Sequence, residues 1–456
     1  MLATHDDRAS AHRTSSSRSI AGMATIRSSG VTNHPGSLPP LPHLAYIEAL
    51  ADTPEGSERW HSVTAGYAVL QLFEAWVASN CGEVALSAIE MRRVRKRLEA
   101  VSERDPMRRC LTHLVDVLVS DAPLAGTDER RLRGFRVGRL MAAYGKLLQY
   151  EASWALSRDV YQTLINSAHC VDDDERLLDS MLMVGFCHRM LSALDEARDA
   201  YGLLRATAAE LGSQQYLLMS ELGFAKIAME RGNLPAAAGM LDQIITETQA
   251  IDHIAIRAKA LMDRARVAGQ LGDLTTAASL NHQALECSND PMERDRILVN
   301  IGMTLMLLGL WDQARDANLI LIATAQEASM QWLAKINLME LAYFERREPT
   351  FEHYRREVAE LQLPPYLEAV YHETCARGYL VFGRPTDSRV AFVRMLAVAE
   401  NHGLNEFIIK AESALNDSSR VKEESVVSPR SHVGEQPPEI AAVAHAITEM
   451  RILAGL

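Results

Sequence analysis

The chain has 456 residues, 48% hydrophobic and 23% charged, with 25 Gly and 16 Pro, a composition that excludes wholesale disorder and collagen-like character. Lys and Arg number 47 against 59 Asp and Glu, and the net charge of −12 disfavours bulk binding to nucleic acid, leaving only a local basic patch as an option. No run reaches the roughly 18 apolar residues of a membrane span, and the N-terminus lacks the apolar core of a secretion signal. Six scattered cysteines without a C-x-x-C pair point to no disulfide framework and to a reducing, cytoplasmic setting.

Residues 1–42 are rich in Ser, His, Arg and Pro and read as a disordered leader, within which Met23 is an alternative start to Met1. Residues 43–130 read as an N-terminal helical cap or degenerate repeats. A first helix is expected over Ser57–Ser79, with Trp60, Val63, Tyr67, Leu70, Phe73 and Val77 on one stripe. A second follows from about Glu83 to Val101, a third from Asp105 to Val119, and Asp121–Gly126 is a break. Residues 131–416 read as a helical-repeat solenoid, 417–438 as a flexible linker, and 439–456 as a short amphipathic helix.

The central segment repeats. Small residues recur at Gly145, Gly185, Ala225, Ala265, Gly302, Ala342 and Ala376, in steps of 40, 40, 40, 37, 40 and 34. Nine positions after each stand Trp154, Leu194, Leu234, Leu274, Trp311, Phe351 and Pro385. Twelve positions after stand Ser157, Ala197, Ala237, Ala277, Ala314, Tyr354 and Ser388. A small residue on a first helix lets a returning helix approach closely, and the bulky residue between them pins the turn. Gly232, Gly272 and Gly309 supply the helix-ending glycine such hairpins require. One hairpin cannot bury its apolar face alone, so neighbours must stack.

Segments such as Leu308-Gly-Leu-Trp-Asp-Gln-Ala314 and Gly272-Asp-Leu-Thr-Thr-Ala277 resemble the turn and second helix of tetratricopeptide (TPR) repeats, over roughly residues 130–415. The period near 40 is similar to the long repeats of bacterial signalling and regulatory proteins. The resemblance implies an all-α, right-handed superhelical solenoid of antiparallel helix hairpins. It also implies a scaffold for protein–protein interaction whose first helices line a concave groove.

Chemistry is sparse. No phosphate-cradling loop, dinucleotide fingerprint, zinc-protease motif or nucleophile elbow is present, so no catalytic residue, cofactor or metal is expected and the chain reads as no enzyme. His372 and Cys375 share a helix face but are two ligands short of a closed site. The run Asp172–Glu175 reads as helix capping. The cluster Arg92, Arg93, Arg95, Lys96, Arg97 reads as a solvated helix paired internally with Glu90, Glu99, Glu103 and Asp105.

In the register above, the residue after each small one faces the groove: Lys146, Phe186, Lys226, Arg266, Met303, Tyr343 and Arg377. Arg139, Lys259 and Arg296 stand six residues before a small one. Tyr150, Arg189 and Gln270 lie further in, beside apolar Met190, Met229, Met306 and Leu307. Arg139, Lys146, Tyr150, Arg189, Lys226, Lys259, Arg266, Gln270, Arg296 and Arg377 therefore form the expected peptide-binding groove, a cationic track with apolar pockets. The expected function is a regulatory adaptor or sensor that takes an acidic or apolar peptide segment of a protein partner, with nucleic acid disfavoured and no membrane partner. The alternatives are an oligomerisation scaffold without a peptide ligand and a peptide-sensing transcriptional regulator.

Overall fold

The computed structural model describes residues 43–79, 86–119, 127–171, 173–250, 253–416 and 437–456. The expected leader, nearly all of the expected linker and the break at 121–126 lie outside the described residues. Among the described residues every regular element is helical, and no helix is long and apolar enough to cross a membrane. The chain divides into two compact units, Met1–Tyr144 with Asp159–Leu177, and Gly145–Arg158 with Leu178–Leu456.

The first unit contains α1 (Leu44–Asp52), α2 (Glu58–Ala78), α3 (Ala88–Glu99), α4 (Pro106–Leu118), most of α5 (Thr127–Tyr150), the end of α6 (Trp154–Asn166), and α7 (Ala168–Val171). α2 is buried on a far wider arc than one stripe, because α1, α3 and α4 all pack on it. Phe73 and Trp76 stack in its centre at 5.9 Å, and the buried Tyr46 and Tyr144 hydroxyls share a 2.8 Å hydrogen bond. Asp105 caps α4 by accepting from the Met107 N–H at 2.8 Å and also accepts from the Ser62 hydroxyl at 2.7 Å.

Two expectations fail here. Cys170 is disulfide-bonded, while Cys110, Cys187, Cys287 and Cys375 are free thiols. A disulfide requires proximity of two Cβ atoms, about which sequence spacing says nothing. The acids expected to neutralise the basic cluster of α3 do not form ion pairs with it. Glu103 pairs with Arg108 at 3.7 Å and Asp105 is the α4 cap. Among the described residues, none of Arg92, Arg93, Arg95, Lys96 and Arg97 has a carboxylate within 4.0 Å.

The second unit takes the ends of α5 and α8 (Asp174–Met190), the start of α6, and then α9 (Leu194–Glu210), α10 (Gln214–Glu230), α11 (Leu234–Ala250), α12 (Ile254–Gln270) and α13 (Leu274–Cys287). α14 (Pro291–Leu307), α15 (Trp311–Thr324), α16 (Ala328–Phe344), α17 (Glu348–Ala359), α18 (Pro365–Val381), α19 (Pro385–His402), α20 (Asn405–Asn416) and α21 (Pro438–Leu453) complete it. Consecutive helices pack as antiparallel hairpins, and α10, α12, α14, α16 and α18 also pack in series as a layer of first helices. The architecture is an all-α, TPR-like solenoid of helix hairpins.

One turn generates every hairpin. Exactly three residues separate α5 from α6, α8 from α9, and so on through α18 and α19. The middle residue is left-handed each time: Ala152, Ser192, Gly232, Gly272, Gly309, Arg346 and Gly383, with φ between 54° and 82°. The residue after it donates its N–H back to a carbonyl five positions earlier, as from Ser153 to Leu148 or Asp273 to Ala268, at 2.7–2.9 Å in all seven turns. This is the Schellman closure, which satisfies carbonyls that the helix end would leave unpaired. Trp154, Leu194, Leu234, Leu274, Trp311 and Pro385, read above as pins of the turn, are the first residues of the returning helices.

The small residues sit where close approach demands them. The Ser157 hydroxyl donates to the Gly145 carbonyl at 3.0 Å. The Tyr201 ring of α9 lies between Gly185 and Gly223, where a Cβ would come within 2.6 and 2.7 Å of it. The sixth hairpin departs from the expected register. Gly145, Gly185, Ala225, Ala265, Gly302 and Ala376 all lie five residues before their helix ends, but Ala342 lies two before the end of α16. The equivalent residue is Met339, fully buried, and the steps are 37 and 37 in place of 40 and 34. Its partner twelve residues on is Phe351, also fully buried, not Tyr354. A large pair replaces the small pair, and Gly378 of α18 makes room for the Phe351 ring.

The C-terminal helix α21 packs on the return helices α13 and α15, away from the first-helix layer. Ile440, Val443 and Ile447 are buried in the core formed by α14, α15 and α16, and Arg451 reaches Asp316 at 3.1 Å. It covers an apolar outer face, and does not occupy the groove.

Arg346 is exposed and carries the cost of about 1–2 kcal/mol that a side chain meets in the left-handed region. Arg346→Gly is expected to raise stability by about 0.5–1 kcal/mol after the glycine entropy term, and Gly223→Ala to lower it by about 1–3 kcal/mol through collision with Tyr201. Urea denaturation followed by circular dichroism measures both.

Candidate functional site

The inner surface of the second unit is built by the first helices, whose side chains one position after the closely packed residue turn away from the return helices. With the register of α16 corrected, that row is Lys146, Phe186, Lys226, Arg266, Met303, Glu340 and Arg377. Glu340 replaces Tyr343, which is buried. The row therefore contains an acid that the periodicity argument missed by one helical turn.

The cations are not bare. Arg189, nearly buried, pairs with Glu230 of the next first helix and lies over the Phe186 ring at 5.7 Å. Lys226 lies 3.3 Å from Asp263, and Arg266 lies 3.3 Å from the same carboxylate and 3.7 Å from the Met229 sulfur. Arg377 pairs with Glu373 at 2.6 Å, and Lys410 of α20 approaches that acid at 3.5 Å. Arg296 stands 3.9 Å from Glu327, and Lys259 acts electrostatically on Glu293. The expected cationic track is thus a ladder of alternating charge, because each first helix offers acids to its neighbour's cations. Asp263 and Glu340 are the members that sequence reading passed over; Asp263 sits three residues before Arg266, a helical pairing distance that could have revealed it.

The remaining expected residues fall outside this ladder. Lys146, Tyr150 and Gln270 are exposed in the second unit. Arg139 belongs to the first unit, where its guanidinium lies 5.8 Å from the Phe135 ring. Of the apolar residues, Met190, Met303 and Leu307 are exposed, whereas Met229 and Met306 are buried in the core.

Burial dominates the electrostatics. Lys226 is pulled below the ordinary lysine value by desolvation, which its Asp263 partner only partly offsets. Glu340 is pushed up by burial, although the Tyr343 hydroxyl donates to it at 3.1 Å and Arg377 is near. The Tyr366 phenol is pushed up by burial, and Arg266, a hundred residues earlier in the chain, is among the charges acting on it. Ala152 and Trp154 of the first turn also join the core of α16–α20. Two polar atoms in this ladder are buried without a hydrogen bond among the described residues: Arg189 Nε, a donor, and Asp263 Oδ2, an acceptor with only the Lys226 ion pair.

His372 and Cys375 lie in a packed cluster. Cys375 is pushed up to about 12 by burial, and the Tyr371 hydroxyl donates to the Arg355 carbonyl at 3.2 Å. Asp173 caps α8 by accepting from the Arg176 N–H at 3.0 Å; Asp172 lies outside the described residues. Among the described residues no group of three or more His, Cys, Asp or Glu could hold a metal ion.

No family model matches the chain, and no curated protein matches it. Three solved structures show partial likeness. BtubC (BKLC) from P. vanneervenii has 16% identity, covering 38% of this chain and 74% of that one, with a TM-score of 0.32. A Rap protein complexed with Competence and Sporulation Factor has 12% identity, covering 75% and 99%, with a TM-score of 0.46. The Rap conjugation gene regulator of plasmid pLS20 in complex with the Phr* peptide has 12% identity, covering 76% and 97%, with a TM-score of 0.49. The fold stated above rests on the chain's own hairpins.

His372 is held neutral down to about pH 4 by burial and by the Arg394 charge. A histidine whose folded value lies below its unfolded value of about 6.5 contributes stability that is full above that pH and is lost as pH falls through about 4. His372→Gln is expected to remove up to about 3 kcal/mol of that acid-side loss, measured by urea denaturation at a series of pH values between 7 and 4.

Proposed function

We propose that the chain is a non-enzymatic, TPR-like regulatory adaptor or sensor that holds an extended peptide segment against its inner first-helix surface. The observation that carries this reading is the buried Arg189 Nε, without a hydrogen-bond acceptor among the described residues, beside the Lys226–Asp263 ion pair. Arg189 Nε can donate to a peptide carbonyl or carboxylate, and the Asp263 carboxylate, held at 3.3 Å by Lys226, can also accept from a peptide N–H. A buried donor left unpaired costs about 1–3 kcal/mol, which a ligand that accepts from Arg189 recovers. An extended backbone presents that donor–acceptor pairing at every residue.

The charge ladder refines the ligand. A purely acidic peptide must displace Asp263 and Glu373 from their cations, whereas a segment carrying both an acid and a base can exchange partners along the ladder without leaving a buried charge uncompensated. Exposed Met303, Met190 and Leu307 supply adaptable apolar contacts. The period near 40 and the absence of a recognised catalytic motif support a place among bacterial regulatory helical repeats. The competing reading, a scaffold without a peptide ligand, draws on the same ion pairs, since neutralised cations need no partner.

Panning a random peptide display library against the full chain distinguishes the two. Enrichment of mixed-charge sequences is expected, with affinity lowered about tenfold or more by the charge reversals Lys226→Glu and Arg266→Glu while helicity is unchanged. Equal recovery on the wild-type and reversed chains would leave the scaffold reading in place. Removal of residues 437–456 is expected to lower stability without altering peptide affinity, because α21 seats on the outer face.

A further inference from the structure

The basic helix α3 is the strongest charge feature that the groove does not use. It is held to the first unit by Val94 and Leu98, buried one turn apart, with Met91 half-buried beside them. Arg92, Arg93, Arg95, Lys96 and Arg97 are all exposed. The Arg92 Nε donates to the Ala88 carbonyl at 3.3 Å, and no carboxylate lies within 4.0 Å of any of the five cations among the described residues. In a chain with twelve more negative than positive charges, five exposed cations in six residues, without an ion pair among the described residues, are out of keeping with the rest of the surface.

We infer that α3 is a polyanion-binding element whose partner is duplex nucleic acid, engaged through its phosphates. Three features choose this partner over an acidic protein. At 100° per residue the five cations spread over an arc of about 200° around the helix, with Lys96 near its centre, Arg95 and Arg97 at its flanks, and the exposed Glu99 as the one acid inside it. A flat protein surface meets a much narrower arc, whereas a concave groove with anionic walls meets all of it. The helix is also of the right size: 12 residues give a rod about 18 Å long and about 10–12 Å across, and the major groove is about 12 Å wide. Finally, Ile89 is the one large, mostly exposed apolar side chain of α3, so the helix offers no apolar centre of the kind that protein interfaces are built around. The exposed Arg104 and Arg109, at the end of the following loop and on α4, extend the cationic face.

The expected contact is with the backbone and is sequence-tolerant. Neutralising up to five phosphates gives a slope of about −4.5 in log K against log salt, and an affinity in the micromolar range that the overall negative charge weakens further. This surface lies in the first unit and does not depend on the peptide reading of the groove.

The test is fluorescence anisotropy of the full chain with a labelled mixed-sequence DNA duplex, at several salt concentrations. Saturable binding with that steep salt dependence is expected. The double reversal Arg92→Glu with Lys96→Glu should weaken it more than about tenfold and lower the slope by about two. Arg356→Glu, an exposed cation on α17, should leave it within about twofold. Arg93→Ala with Arg97→Ala, which leaves the buried anchors and adds no acid, should weaken it by an intermediate amount, so that loss in the reversal is not ascribed to misfolding. Absence of binding, equal binding by wild type and both variants, or tighter binding to polyglutamate or to phosphatidylserine vesicles than to the duplex would overturn the assignment.

Discussion

A helix can return beside itself only if its last carbonyls are satisfied while the chain reverses. In this protein the same three-residue Schellman turn solves that problem in all seven hairpins and once more at Gly212, between α9 and α10, with the middle residue left-handed in each case. The turn sets more than direction. By fixing three residues between helices, it fixes which residue of the return helix faces which residue of the first, and so places small against small in six hairpins and Met339 against Phe351 in the sixth of the series. It also decides which first-helix position is left facing inward. A change of one residue in a turn would rotate the groove row by about 100° and bury its charges against apolar neighbours.

Because the first helices stack at close range, their polar side chains meet across neighbouring hairpins as well as along one helix. Arg189 reaches Glu230, Lys226 reaches Asp263, and Arg377 and Lys410 share Glu373. In such a desolvated setting, ion pairs compensate charge more than they add stability. The lowered lysine and raised glutamate of this surface are the mark of charges held partly out of water. A surface of this kind discriminates among ligands by the charge left unpaired when the wrong one binds.

The two charged features of the molecule behave oppositely for a geometric reason. In the second unit, first helices lie side by side, and Arg189, Lys226, Arg266 and Arg377 each have an acid within reach. In the first unit, α3 rests on α2 and α4, with Val94 and Leu98 buried, and among the described residues no carboxylate lies within 4.0 Å of its five cations. The local abundance of acids, Glu90, Glu99, Glu103 and Asp105, suggested compensation, yet Glu103 and Asp105 serve Arg108 and the α4 cap. Proximity along the chain was a poor guide to pairing in space.

The order of the helices, the hairpin unit and the small-residue contacts were written in periodicity, because burial of one face per helix imposes a spacing that any sequence must obey. Four of the seven left-handed hairpin turns, at Gly232, Gly272, Gly309 and Gly383, could be read from glycine alone. Ala152, Ser192 and Arg346 could not, since nothing local marks a non-glycine residue forced into that conformation by the packing of the helices on either side. The sixth hairpin was misread for a related reason: Met339 and Phe351 fill together the space that two small residues leave elsewhere, and volume is conserved across the pair, not at either position. Which charges face one another, the seat of α21 on the return helices, and the isolation of the α3 cations were settled only when helices distant in sequence were brought side by side. Electrostatic pairing and apolar docking depend on distance in space, and a single sequence records distance only within one helix.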